Sequence, residues 1–88
     1  SAFYNNKPMT KVTLGTGLKS VGAYAFAKEW EDVYSEVICK AVTPASVSSY
    51  SFEYGINDDT KLYIPKGTYN AYYLSDWANI FGNIAEMK

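Results

Sequence analysis

The chain has 88 residues, 48% of them apolar, with nine Tyr, four Phe and two Trp, a size and composition that fit one globular domain whose small core relies on large rings. Eight Lys face nine acidic residues, with no Arg and no His, which leaves no basic surface for nucleic-acid phosphates and no imidazole for a catalytic triad or a histidine-based metal site. The single Cys39 has no disulfide partner within the chain, no apolar run approaches the roughly 20 residues of a membrane helix, and the N-terminus lacks a signal-peptide pattern.

Taken from the N-terminus, the chain repeats itself. "SAF" closes at Phe3, "SVGAYAF" at Phe26 and "SSYSF" at Phe52, and after each Phe comes a short alternating run: "VTL" (Val12 to Leu14), "VIC" (Val37 to Cys39) and "LYI" (Leu62 to Ile64). A period of 20 to 30 residues marks a solenoid whose units stack to bury a shared apolar face. The three runs are therefore expected to be parallel strands. Side chains alternate across a strand, so Val12, Leu14, Val37, Cys39, Leu62 and Ile64 point to one side, and Thr13, Ile38 and Tyr63 to the other. In that register Lys11, Glu36 and Lys61 stand side by side with alternating charge. Cys39 reads as a small buried hydrophobe.

The segments "GTGLKSVGAYAF" and "TPASVSSYSF" open on the breakers Gly15, Gly17 and Pro44 and carry the chain back between strands, with Val21, Val47 and the closing Phe packed inward. Phe3, Phe26 and Phe52 are expected in one buried stack. In "KGTYNAYYLSDW", Thr68 stands where a helix N-cap belongs, and the spacing of Tyr69, Tyr72, Tyr73 and Asp76 predicts a helix of two to three turns. Trp77, Ile80, Phe81 and Ile84 then cluster around Gly82 and are expected to seal that end of the core.

The repeat "VTLGTGLKSVGAYAF" and the closing stretch "LYIPKGTYNAYYLSDWANIFGNI" resemble the leucine-rich repeats of the BspA-like type, a family of surface proteins of Bacteroides-like bacteria and some parasitic protists. The family's usual Pro is absent near Gly15 and Thr16, and the second repeat, "EWEDVYSEVICKAVTPASVSSYSF", has a longer turn and lacks the Ile-Gly before its final small-aromatic-small-Phe. The resemblance implies an α+β solenoid: a leucine-rich-repeat-like stack of short parallel strands with irregular return segments over residues 1 to 64, and a C-terminal helical cap over 65 to 88. It also implies a cell-surface or secreted bacterial location, adhesion to proteins or glycans, and no enzyme activity or cofactor.

Other chemistry finds little footing in these residues. "EWED" (Glu29, Glu31, Asp32) and "NDD" (Asn57, Asp58, Asp59) lack the Gly and ligand spacing of a calcium loop and read as solvated acids. Glu53, between Phe52 and Tyr54, is the only acid with an aromatic on each side, and it reads as a turn residue rather than a glycosidase acid. The Tyr-rich helix is either core or a carbohydrate platform, core being favoured in a domain this small. The expected function is a non-catalytic binding module using the outward row Thr13, Ile38 and Tyr63. The alternatives are a purely structural cap on a longer repeat array and a small carbohydrate-active domain. Because "SAF" starts in mid-repeat, the chain is also expected to be the C-terminal piece of a longer protein, with self-association through its uncovered first strand.

Overall fold

The structure, a computed structural model, describes residues 11 to 23, 25, 33 to 52 and 55 to 88. Phe3, Phe26, the acids Glu29, Glu31 and Asp32, and Glu53 with Tyr54 lie outside the described residues, so the expected three-Phe stack is described only at Phe52, which is buried.

The architecture is α+β: a four-stranded parallel sheet in the order β1-β2-β3-β4, with two short helices. β1 (Lys11–Leu14), β2 (Glu36–Cys39) and β3 (Lys61–Ile64) hold the three alternating runs, extended by one residue at the front to take in Lys11, Glu36 and Lys61. The register is the expected one: Lys11 pairs with Glu36 and Glu36 with Lys61, Val12 with Val37 and Val37 with Leu62. Leu14, Val37, Cys39, Leu62 and Ile64 are buried, and Val12 packs against the same core at one end. These side chains are branched or small, which suits a crowded pleated surface.

Behind the sheet the return segments stack in parallel as well. Ser20 and Ser46 form a parallel bridge, with the Val21 amide donating to the Ser46 carbonyl at 2.7 Å and the Ser46 amide to the Lys19 carbonyl at 3.0 Å. Two buried hydroxyls join successive segments in the same way. Ser51 Oγ accepts from the Ser48 amide and donates to the Val21 carbonyl, while Thr60 Oγ1 accepts from the Asn57 amide and donates to the Tyr34 carbonyl at 2.6 Å. Each hydroxyl thus satisfies a turn amide and a buried carbonyl of an earlier segment, groups that are costly to leave unpaired.

The tail departs from the expected single helix. After β3 the chain turns through Pro65 to Thr68, with Gly67 at φ +85°, a value that the third residue of such a turn can adopt freely only as Gly. α1 (Tyr69–Tyr73) and α2 (Trp77–Ile80) are separate one-turn helices. Thr68 occupies the N-cap position, but its Oγ1 donates backwards to the Pro65 carbonyl at 2.6 Å and caps nothing. That duty falls to Glu86, whose Oε2 accepts from the Gly67 and Tyr69 amides, both at 3.0 Å. Glu86 belongs to β4 (Asn83–Glu86), a fourth parallel strand on β3 that the sequence reading places in the cap as an apolar cluster instead.

Trp77 and Phe81 seal the core as expected, with Ile80 and Ile84 only partly buried beside them, and Tyr72 joins them; Trp77, Phe81 and Tyr72 are each essentially inaccessible to solvent. Phe52 packs edge-on to Phe81 with centroids 5.3 Å apart, and Trp77 stacks on Phe81 at 5.9 Å. Two polar hooks fix these rings to the loop after β2: Tyr72 Oη donates to the Ala41 carbonyl and Trp77 Nε1 to the Ala45 carbonyl at 2.8 Å. Buried Tyr and Trp need such partners for their polar ends.

Candidate functional site

The side of the sheet away from the core carries one row across all four strands: Thr13, Ile38, Tyr63 and Ala85, paired in that order. Neighbouring strands are about 4.8 Å apart, so the row is roughly 14 Å long. Thr13 and Ala85 are exposed, while Ile38 and Tyr63 are half-buried. All three residues singled out from the sequence thus fall in one line, for the reason that placed them there: alternation in a shared register.

Ile38 and Tyr63 also line a depression of about 330 Å³, together with Glu36, Glu86, Met87 and Lys88. Thr13 lies one strand away and is not part of its wall. Met87 is fixed beside the end of β3 by its amide, which donates to the Ile64 carbonyl at 2.7 Å and continues the β4 ladder. Sequence reasoning misses Glu86, Met87 and Lys88 because their position depends on β4, whose run "NIAE" has only Ile84 half-buried and no alternation to reveal a strand.

The chemistry of this face is that of contact. The depression's wall combines the apolar Ile38, Tyr63 and Met87 with the charged Glu36, Glu86 and Lys88, the mixture of residue types found in macromolecular interfaces. The Glu86 carboxylate is already turned toward the start of α1, which leaves Glu36 and Lys88 as the wall charges open to a partner. Glu36 sits between the paired positions Lys11 and Lys61.

The remaining candidates separate cleanly. Among the described residues no group of three acidic or thiol side chains is placed to hold a metal ion, and in the "NDD" run Asn57 Oδ1 accepts from the Asp59 amide. The Tyr-rich segment divides: Tyr72 belongs to the core, while Tyr69 and Tyr73 are exposed and stack on each other with centroids 5.8 Å apart. Burial pushes the Tyr72 hydroxyl above its ordinary range, with Cys39 beside it acting in the same direction, and burial raises Tyr34 likewise. Both are core residues, and neither reaches the outward face. Cys39 is buried, as expected of a small hydrophobe.

A scan of protein-family models, a search of curated proteins and a search of solved structures each found no match to this chain.

Proposed function

We propose that this chain is a non-catalytic binding module, the end of a leucine-rich-repeat-like solenoid of the BspA-like type at a bacterial cell surface, which holds a protein or glycan through the outward face of its sheet. The observation that carries the reading is the pairing of Ile38 with Tyr63 in the wall of the 330 Å³ depression, which Met87, Glu36, Glu86 and Lys88 also line. Half-exposed apolar side chains of this size on an otherwise polar sheet face cost solubility and gain nothing for the core. A partner that covers them accounts for their presence. The spacing of the three strands and the stacked return segments support the solenoid part of the reading.

The test is adhesion of the fluorescently labelled chain to intact cultured epithelial cells, read by flow cytometry, for the parent and for the double variant Ile38→Ser with Tyr63→Ser. Saturable binding that falls at least about tenfold in the variant, with unfolding cooperativity retained, is the expected result. Equal binding by both proteins would remove the outward face from the reading.

A second reading, a structural cap on a longer array, is favoured by the way α1, α2 and β4 follow the third strand and bury Tyr72, Trp77 and Phe81. It leads to a different outcome. Neither the parent nor the variant would bind cells, and removing this segment from a longer array would lower the melting temperature of the adjacent repeats.

A further inference from the structure

A second depression, of about 280 Å³, lies behind the sheet and is lined by Ser49, Phe52, Ile56, Asn57, Asp58, Asn79, Ile80 and Gly82. It shares no residue with the outward face. Most of its accessible lining is polar, and the smaller apolar part comes from Ile56 and Ile80, which pack against the core while keeping part of their surface exposed. Its rim is a set of polar groups with unspent hydrogen-bonding capacity. Asn57 Oδ1 accepts from the Asp59 amide at 2.9 Å. That fixes the amide plane and leaves Asn57 Nδ2 as a donor with no partner among the described residues. The Asp58 carboxylate, the Asn79 amide and the Ser49 hydroxyl are likewise unpartnered among the described residues.

The rim is held firmly. Thr60 Oγ1 ties the Asn57 turn to the buried Tyr34 carbonyl, and Asn83 Nδ2 donates to the Asp58 carbonyl. These bonds fix the backbone of the Asn57–Asp58 turn from which two of the rim side chains project.

We propose that this depression is a subsite for one neutral sugar ring. Adjacent hydroxyls of a sugar each donate and accept, so they need acceptors and donors side by side, which the Asp58 carboxylate and the Asn57 and Asn79 amides supply. The apolar C–H face of the ring needs an apolar wall, which Ile56 and Ile80 supply. Ligand pockets generally run from roughly 300 to 1,000 Å³, so a site of about 280 Å³ takes a single ring rather than an extended ligand. An anion is disfavoured by Asp58, and a purely apolar ligand would strand the polar rim unpaired.

The experiment is a titration of the ¹⁵N-labelled 88-residue chain with the methyl glycosides of glucose, mannose, galactose and N-acetylglucosamine, followed by amide shifts. At least one glycoside should produce saturable shifts at Ser49, Asn57, Asp58, Asn79 and Gly82 with none at Ile38 or Tyr63, and Asp58→Ala and Asn79→Ala should each weaken binding about tenfold. Both residues are exposed, so the variants should keep the parent's spectral dispersion. No saturable shift with any of the four, undiminished binding by both variants, or shifts centred on Ile38 and Tyr63 would each overturn the subsite. The last result would at the same time favour a glycan at the outward face. The loss of cell adhesion by the Ile38 and Tyr63 double variant is unaffected by failure here, because the two sites have no residue in common.

Discussion

The hydroxyl of Tyr72 lies 2.5 Å from the Ala41 carbonyl and 3.2 Å from Cys39 Sγ, so one phenol on a one-turn helix joins the tail of the chain to the second strand and the loop that follows it. Replacing it by Phe keeps the ring and strands a buried carbonyl. Tyr72→Phe should therefore cost about 1 to 3 kcal/mol in urea unfolding without changing the fold.

The same phenol sets an alkaline limit. Burial, and then Cys39, raise its folded-state value above that of the unfolded chain, so at high pH the unfolded state holds fewer protons than the folded one and stability declines. The contribution is complete below about pH 10, the ordinary tyrosine value, and is lost as pH rises beyond it. Tyr34, raised by burial, adds in the same direction. Chemical denaturation between pH 8 and pH 11 should show stability flat up to about pH 10 and falling above it. The fall should be shallower in Tyr72→Phe; equal slopes would mean that the phenol ionises as freely in the folded chain as in the unfolded one.

Thr60 offers a cleaner substitution. Thr60→Val conserves shape but removes the hydroxyl's bonds to the Tyr34 carbonyl and the Asn57 amide, a loss of about 1 to 3 kcal/mol. Thr60→Ser keeps the hydroxyl and should recover most of it. If Val and Ser behave alike, the effect is packing and not the bridge.

Trp77 combines packing with a hook. Trp77→Ala removes a fully buried indole and its bond to the Ala45 carbonyl, and large-to-small changes of this kind cost about 3 to 5 kcal/mol. A small domain has about 5 to 15 kcal/mol in all, so the variant should lose its cooperative thermal transition or show it at a much lower temperature. A melting curve close to the parent's would mean that the end of the core is closed by other residues.

Glu86 and Gly67 act on one turn. Glu86→Ala frees two amides at the start of α1 and should cost about 1 kcal/mol, with Glu86→Gln recovering part because its carbonyl still accepts. Gly67→Ala places a side chain at φ +85° and should cost about 1 to 2 kcal/mol. The two losses should fall short of additive in the double variant, since both distort the same amides.

The sequence makes the strands legible where burial leaves an imprint. Leu14, Cys39 and Ile64 face a core, so their alternation with Thr13, Ile38 and Tyr63 follows from which side is dry, and the Lys11, Glu36 and Lys61 column marks the register. β4 leaves no such imprint: Asn83, Ala85 and Glu86 are exposed, and the strand exists because its backbone completes the ladder on β3. The break between α1 and α2 is hidden for a related reason. Helical spacing continues through Asp76, but Ser75 Oγ donates back to the Tyr72 carbonyl and the Ser75 amide bonds to the same oxygen, closing the first helix. At the outward face the pairing of Ile38 with Tyr63 can be read from alternation, whereas Met87 arrives there only through β4. The serine and threonine bridges at Ser51 and Thr60 are equally hidden, because a hydroxyl in a turn looks the same whether it faces water or a buried carbonyl.

The hooks from Tyr72 to Ala41 and from Trp77 to Ala45 join positions more than 30 residues apart, and this separation has a consequence during synthesis. The loop after the second strand is made early but remains unsecured until the tail appears. On the ribosome, where chains lengthen by about 5 to 20 residues per second, that loop and the apolar side chains beneath it wait for Trp77 to clear the exit tunnel before they can be covered. A nascent chain that has passed the second strand but not yet reached Trp77 thus lacks both bonds that secure this loop.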